Sequence, residues 1–272
     1  MDNKFVMAGV MGWPVAHSRS PVIHNHWIAQ HGLHGAYGHL TVEPAKLEQA
    51  IRGLSALGMA GCNITIPHKV HAMQWVDTVH PLAQKIGAIN CIVVQDDGTL
   101  AGFNHDGYGF VQSLLEVTPH WQASGGPAVV LGAGGASRAI LVALIDQGAT
   151  EIRLLNRTRA HAEELAHEFG PVIQVRDWAH KDDALEGAQL LVQTTNQGMS
   201  GEPPLDLNLA ALPANALVAD IIYTPLETPL LAQARARGNP HVNGLGMLLH
   251  QARPAFESWF GVAPQVTPAL RQ

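Results

Sequence analysis

Cysteine is scarce: Cys62 and Cys91 are the only two in 272 residues. Two thiols build neither a disulfide scaffold nor a cysteine-based zinc site. Charged residues are also sparse, at 14%. Neither sign dominates: 16 Lys and Arg stand against 22 Asp and Glu, a net charge of −6. That balance offers no basic stripe to a nucleic acid or to an anionic membrane surface, so neither is expected as a partner. No apolar run is long enough to cross a bilayer. The opening stretch, Met1 to Gly9, lacks the basic start and the cleavage site of a signal peptide. A cytoplasmic location is therefore the expectation. Internal repeats and low-complexity linkers are missing too. What is present is 47% hydrophobic residues, enough to fill the core of one or two domains.

Histidine is abundant, at 16. His24 and His26 lie two apart with His17 upstream, but residues two apart on a helix face different ways. No His-Glu-x-x-His or clustered Cys/His spacing occurs, so no metal is expected.

The most informative stretch runs from Ala128 to Ile140. Ala128 to Leu131 is a short apolar run that reads as a buried strand. Gly132, Ala133, Gly134, Gly135, Ala136 and Ser137 follow. Ser137 to Gln147 then reads as a helix with Ile140, Leu141, Leu144 and Ile145 on one face. Strand, glycine turn and helix together form the phosphate-binding opening of a dinucleotide fold. Glycine lets the backbone approach a pyrophosphate closely, and the helix N-terminus meets it with free N–H groups. Ser137 stands where the third glycine of G-x-G-x-x-G would be.

One strand later, Glu151 to Asn156 ends where the adenosine ribose of a bound dinucleotide lies. A carboxylate there favours NAD, and a basic residue favours the 2′-phosphate of NADP. The chain offers Asn156, Arg157, Thr158 and Arg159. Two guanidiniums can clamp a phosphate, and cations are unfavourable in a first helical turn unless an anion is bound. The prediction is NADP.

The first hundred residues alternate strand and helix. Strands are expected at Phe5 to Met11, Ala36 to Thr41 and Gly61 to Ile66. Helices are expected at Val22 to Gln30, Pro44 to Leu57, after Lys69, and at Pro81 to Ile86. Ala88 to Val94 and Thr99 to Phe103 read as a hairpin turning at Asp97-Gly98, before a helix from Tyr108 to Leu115. Ser18 and Ser20 lie at the C-terminal end of a strand, where open α/β sheets bind ligands, although Ser20 also suits a plain helix cap. Asn63 and Thr65 share one face of their strand by alternation, with Lys69 just beyond. The plain alternatives are a surface lysine for Lys69, which its location beyond Asn63 and Thr65 disfavours, a capping aspartate for Asp106, and a structural amide at a strand end for Asn90.

Several motifs, in order along nearly the whole chain, decide between these readings. They are Ser18-Arg-Ser-Pro21, Asn63-Ile-Thr-Ile-Pro-His-Lys69, Asn90, Asn104-His-Asp-Gly107, Gly132 to Ser137, Asn156-Arg-Thr158, Tyr223-Thr-Pro225 and Gly244-Leu-Gly-Met-Leu248 with Gln251. Together they resemble the shikimate dehydrogenase family. The resemblance implies an α/β fold of two domains: residues 1–107 plus 244–272 for the substrate, and a Rossmann-like 108–243 for NADP. The C-terminal helix would return to the substrate domain. It implies Lys69 and Asp106 as the catalytic pair, with Ser18, Ser20, Asn63, Thr65, Asn90, Tyr223 and Gln251 around the substrate. The two serines and Tyr223 would meet its carboxylate. The glycine turn, Asn156, Arg157, Thr158, Ile221 and Gly244 would hold the cofactor. His161 stands where some relatives carry a basic residue, so part of the phosphate grip would rest on Arg159. Thr195-Asn-Gln-Gly198 departs from the Thr/Ser-rich loop expected there.

The implied reaction is NADP-dependent reduction of 3-dehydroshikimate to shikimate by a cytoplasmic monomer or homodimer. A quinate-oxidising relative with broader cofactor use and a non-catalytic NADP-binding regulator are the alternatives. Keeping Lys69 and Asp106 beside an intact polar set argues against the regulator.

Overall fold

The computed structural model describes residues 5–271; Met1 to Lys4, part of the opening stretch read above, lie outside them. The chain divides into two compact units. One runs to Asp106 and resumes at Leu248, and the other is Gly107–Met247.

The first unit contains β1 (Val6–Gly12), α1 (Ser20–Gln30), β2 (Gly35–Thr41), α2 (Leu47–Ala56), β3 (Met59–Ile64), β4 (Thr78–Val79) and α3 (Pro81–Ile86). The hairpin β5 (Cys91–Val94) and β6 (Leu100–Phe103) completes its sheet, in the order β2-β1-β3-β5-β6-β4. β1 runs parallel to β2 and β3, while β5 is antiparallel to β3 and β6. Leu47, Ile51 and Leu54 fall on one face of α2 at helical spacing, and all three are buried. They join Met11, Ile64 and Ile92 in one core cluster. Asn63 pairs with Cys91 across β3 and β5, which brings Asn90, one residue earlier, to the end of β3.

α4 (Asp106–Val117) follows, and then β7 (Ala128–Leu131), α5 (Gly135–Asp146), β8 (Ile152–Leu155), α6 (Arg159–Phe169), β9 (Ile173–Val175) and β10 (Leu190–Gln193). β11 (Leu217–Asp220), α7 (Pro229–Arg237), β12 (His241–Val242) and α8 (Gly244–Phe260) end the series. The sheet of the second unit is wholly parallel, in the order β12-β11-β10-β7-β8-β9. Alternate residues feed two separate cores: Val130, Ile152, Leu154 and Val192 on one face, Val129, Leu131, Leu155 and Leu191 on the other. A parallel sheet covered on both faces with this strand order is the Rossmann-like arrangement. The order reverses between β7 and β10, the switch point at which such sheets bind ligands.

Several expected elements differ. The helix expected after Lys69 is a single 3₁₀ turn, His71–Trp75. Asp77 ends it by accepting the Leu100 N–H at 2.8 Å with its side chain and donating its own N–H to the Leu100 carbonyl at 2.8 Å, which draws the chain into β4. Pro44 to Leu57 is a 3₁₀ turn leading into α2 rather than one helix. Ser20 is not an N-cap but the first residue of α1, whose N-cap is Arg19. β3 ends at Ile64, so Thr65 stands just beyond the strand instead of alternating within it. Ser137 is the third residue of α5, which starts at Gly135. β4 and β12 have two residues each, too few to carry any periodicity.

Candidate active site

Lys69 and Asp106 meet in the first unit. The Lys69 ammonium donates to Asp106 Oδ2 at 2.5 Å, with side chains 16% and 5% exposed. Asp106 Oδ1 accepts from Asn90 Nδ2 at 2.8 Å, and the same amide nitrogen donates to Gln251 Oε1 at 3.0 Å. Asn90 Oδ1 in turn accepts the His105 N–H at 2.9 Å. Both amide protons and one lone pair of Oδ1 thus lock Asn90 between the turn before α4 and the helix α8, and the second lone pair stays free to accept. Asn104 performs the same service one step earlier. Its Oδ1 accepts the Asp106 N–H at 3.0 Å, and its Nδ2 donates to the Ala88 carbonyl at 2.9 Å. His68, buried beside Lys69, reaches the Val42 carbonyl through Nε2 at 2.8 Å, which makes that nitrogen the protonated one. The lysine is therefore presented from a pinned loop.

The other substrate residues gather nearby. Asn63 Nδ2 donates to the Asn90 carbonyl at 3.1 Å, and its Oδ1 accepts from the Tyr37 hydroxyl at 2.6 Å. Ser18 Oγ and Ser20 Oγ are 3.3 Å apart, and the Ser20 hydroxyl reaches the Tyr37 oxygen. Thr65 is fixed by its backbone, its N–H donating to the Met11 carbonyl at 2.9 Å. Tyr223 belongs to the second unit, on the segment after β11. Such a cluster can hold a small polyhydroxylated acid and pass a proton through a half-buried ammonium. Burial holds the His105 imidazole down to about 4 and the His24 imidazole to about 3, so both are neutral at physiological pH. Burial pushes both cysteine thiols up, Cys91 beyond the usual range and Cys62 likewise, which removes them as nucleophiles. Among the described residues no group of three His, Cys, Asp or Glu could hold a metal, and no helix is long and apolar enough to cross a membrane.

In the second unit the glycine turn is built as a cradle. Gly132 has φ +109°, and a Cβ on it would lie 2.4 Å from Thr194 Oγ1. Thr194 Oγ1 donates to the Leu131 carbonyl at 2.7 Å, so the end of β10 backs the turn. Gln193, fully buried, pins the following loop through Thr195 N–H at 2.8 Å and the Gln197 carbonyl at 2.9 Å. Gly134 is the N-cap of α5 without a side-chain cap, and a Cβ on it would meet nothing within 4 Å. By their place in the first turn, the N–H groups of Gly135, Ala136 and Ser137 have no partner from their own helix. The Ser137 side chain points back into the turn and donates to the Gly132 carbonyl at 2.7 Å. This gives serine at the third position a role: it closes the turn.

Asn156 folds onto the Thr158 carbonyl at 2.8 Å. Among the described residues Arg157 is exposed and makes no ion pair, whereas Arg159 is held by Glu163 at 2.7 Å. That exposed pair is worth under about 1 kcal/mol, so a phosphate can displace it. Gly244 packs on the Ile221 carbonyl, where a Cβ would stand 1.9 Å from the oxygen. An open helix N-terminus, room at Gly134 and an unpaired arginine at the end of β8 fit a phosphorylated dinucleotide.

Sequence reasoning missed three residues that organise these sites: Tyr37, Asn104 and Asp220. Asp220 is 2% exposed. It accepts the Ile222 N–H at 3.1 Å and the Thr228 hydroxyl at 2.7 Å, so it spans the segment bearing Tyr223. Burial raises its carboxyl to about 6. A carboxylate at the end of an apolar strand was a readable signal; nothing in the sequence ties Asn104 or Tyr37 to a partner.

Comparison with known proteins gives one answer along the chain. Residues 10–92 match the shikimate dehydrogenase substrate binding domain, 117–200 the shikimate / quinate 5-dehydrogenase family, and 244–272 the shikimate 5′-dehydrogenase C-terminal domain. The chain is 55% identical to a shikimate dehydrogenase (NADP(+)) of Paramagnetospirillum magneticum, covering 100% of this chain and 98% of the relative. It is similar to the crystal structure of a Thermus thermophilus shikimate 5-dehydrogenase in complex with NADP(H) and shikimate, with TM-score 0.85 and 35% identity over 96% of this chain and 95% of that one. A Corynebacterium glutamicum quinate dehydrogenase in complex with NAD has TM-score 0.89 at 27% identity, over 96% of each chain.

Proposed function

We propose that this chain, which belongs to the shikimate dehydrogenase family, catalyses the NADP-dependent reversible reduction of 3-dehydroshikimate to shikimate. The observation that carries the mechanism is the Lys69–Asp106 pair, locked by Asn90 and Gln251. NADPH held at the glycine turn would supply the hydride for the ring carbonyl carbon. Lys69 gives a proton to the carbonyl oxygen as negative charge develops there, and takes its replacement from water, to which it is partly exposed. Asp106 keeps the ammonium in place and accepts a hydrogen bond from a ring hydroxyl. Asn63, Thr65, Asn90 and Gln251 bind the remaining hydroxyls, and Ser18 and Ser20 donate to the carboxylate.

Gly132 to Ser137 would hold the pyrophosphate of the cofactor, Asn156, Arg157, Thr158 and Arg159 its 2′-phosphate, and Ile221 and Gly244 would line it along the strand ends. The enzyme works in the cytoplasm, as a monomer or a homodimer. The purified protein, assayed with shikimate and quinate against NADP and NAD, should turn over shikimate with NADP best. A preference for quinate or NAD would move it to the neighbouring branch of the family, and no activity in any combination would make it a regulator.

A further inference from the structure

Tyr37 lies in the middle of β2, 4% exposed, and touches two parts of the substrate half-site at once. We propose that Tyr37 is a positioning residue for substrate recognition: its hydroxyl fixes Asn63 so that the amide offers the ligand an N–H rather than a carbonyl oxygen, and links that choice to the Ser18–Ser20 pair. This deepens the functional reading above and rests on it.

The direction of each bond follows from what its atoms can do. The Asn90 carbonyl can only accept, so the Asn63 atom 3.1 Å from it is the amide nitrogen. Asn63 Oδ1 then faces Tyr37, and because an amide oxygen has no proton to give, the Tyr37 hydroxyl must donate. The Tyr37 oxygen is left as an acceptor, and Ser20 supplies the donor. Ser18 completes the row, its oxygen accepting the Ser20 N–H at 3.3 Å. One directed chain thus runs from the serines through Tyr37 to the amide row that ends on Asp106 and Lys69. Asn63 keeps one N–H that neither Asn90 nor Tyr37 uses, suited to a ligand oxygen.

The ring of Tyr37 is itself immobilised. It stacks on the His24 imidazole with centroids 4.1 Å apart and planes 4° from parallel. The Asn25 side chain on α1 brackets its peptide, donating to the Tyr37 carbonyl at 2.9 Å and accepting the Tyr37 N–H at 3.0 Å. α1, which begins at Ser20, and β2 are therefore bound together at this residue. When a carboxylate binds, the serine hydroxyls rotate outward to it. The bond from Tyr37 to Asn63 has no reason to change, so the amide keeps its orientation through the exchange.

Tyr37→Phe removes one oxygen and leaves the stacked ring. The expected result is a KM for shikimate raised about tenfold, a kcat within about threefold, and a KM for NADP within about twofold. Asn63→Ala raises the KM for shikimate on its own, and adding Tyr37→Phe to it should change that KM no further, because the tyrosine acts through the amide. Full additivity in the double variant would overturn the proposal. So would a Tyr37→Phe protein that melts lower but keeps a normal KM, because packing alone would then account for the residue. If the wild type neither binds nor turns over shikimate, the functional reading fails and takes this proposal with it. If the wild type is normal and only the tyrosine results disagree, the proposal fails by itself.

Discussion

Alanine at Gly132 and alanine at Gly134 each add one methyl group to the same turn, yet they should fail in different assays. At Gly132 the backbone has φ +109°, a region in which an L side chain costs about 1–2 kcal/mol. The new Cβ also meets Thr194 Oγ1 at 2.4 Å, closer than real contacts allow. Moving Thr194 breaks its bond to the Leu131 carbonyl, worth about 1 kcal/mol more. The total is about 2–4 kcal/mol, and the melting temperature of Gly132→Ala should fall by roughly 5–15 °C. At Gly134 the backbone has φ −92° and ψ −173°, which alanine adopts readily, and no atom lies within 4 Å of a Cβ. The small loss of alanine at an N-cap and the small gain from a stiffer unfolded chain nearly cancel, each being about 1 kcal/mol or less. Gly134→Ala should therefore melt within about 2 °C of the wild type. Its methyl group, however, occupies the approach to the N–H groups of α5. Hydrogen bonds to a charged phosphate are worth about 1.5–3 kcal/mol, so NADP binding should weaken at least about tenfold in a calorimetric titration. Normal NADP affinity in Gly134→Ala would mean that no phosphate sits at this turn. An unchanged melting temperature in Gly132→Ala would mean that the turn is not backed by Thr194.

Two further outcomes follow from the same structure. Arg157→Ala should weaken NADP binding about tenfold or more and leave NAD within about twofold, since only NADP carries the 2′-phosphate; equal losses would remove Arg157 from that role. Stability should fall by about 2.5 kcal/mol between pH 7 and pH 5, as read by denaturant titration. His24 and His105, held at about 3 and about 4, stay neutral when folded but protonate below about 6.5 when unfolded, a loss of about 2 kcal/mol each at pH 5. Asp220, raised to about 6, works the other way. It binds its proton in the fold first, so its contribution is present at low pH and is lost as pH rises through 6, returning about 1.4 kcal/mol at pH 5. Asp220→Asn should accordingly steepen the loss by about 1 kcal/mol, and a shallower profile in that variant would contradict the assignment.

The second unit was legible in the sequence because its signals are local. Ala128–Leu131 and the Leu190, Leu191, Val192 stretch of β10 are continuous apolar runs of the kind a sheet buried on both faces requires. The glycine turn is a contiguous motif, and even Ser137 turned out to have a local partner in Gly132. The first unit was legible in its residues more than in their roles. Asp106 read locally as a cap or a ligand and Asn90 as a structural amide at a strand end, and the contact of Asn90 with Gln251, 161 positions away, has no local signature. Tyr37 carried no pattern of its own, because its meaning lies in a hydroxyl 26 residues away from Asn63. The turn at His71–Trp75 read as a helix because local propensity said nothing of Asp77 pairing with Leu100.

In the proposed mechanism Lys69 delivers the proton in a shikimate dehydrogenase reaction. The measurement that tests it most directly compares the wild type with Lys69→Ala in NADP-linked shikimate oxidation, with NADP affinity measured on both. The account predicts that kcat falls by at least about a thousandfold while NADP affinity stays within about twofold, because every cofactor contact assigned above lies elsewhere in the chain. Turnover within about tenfold of the wild type would contradict it.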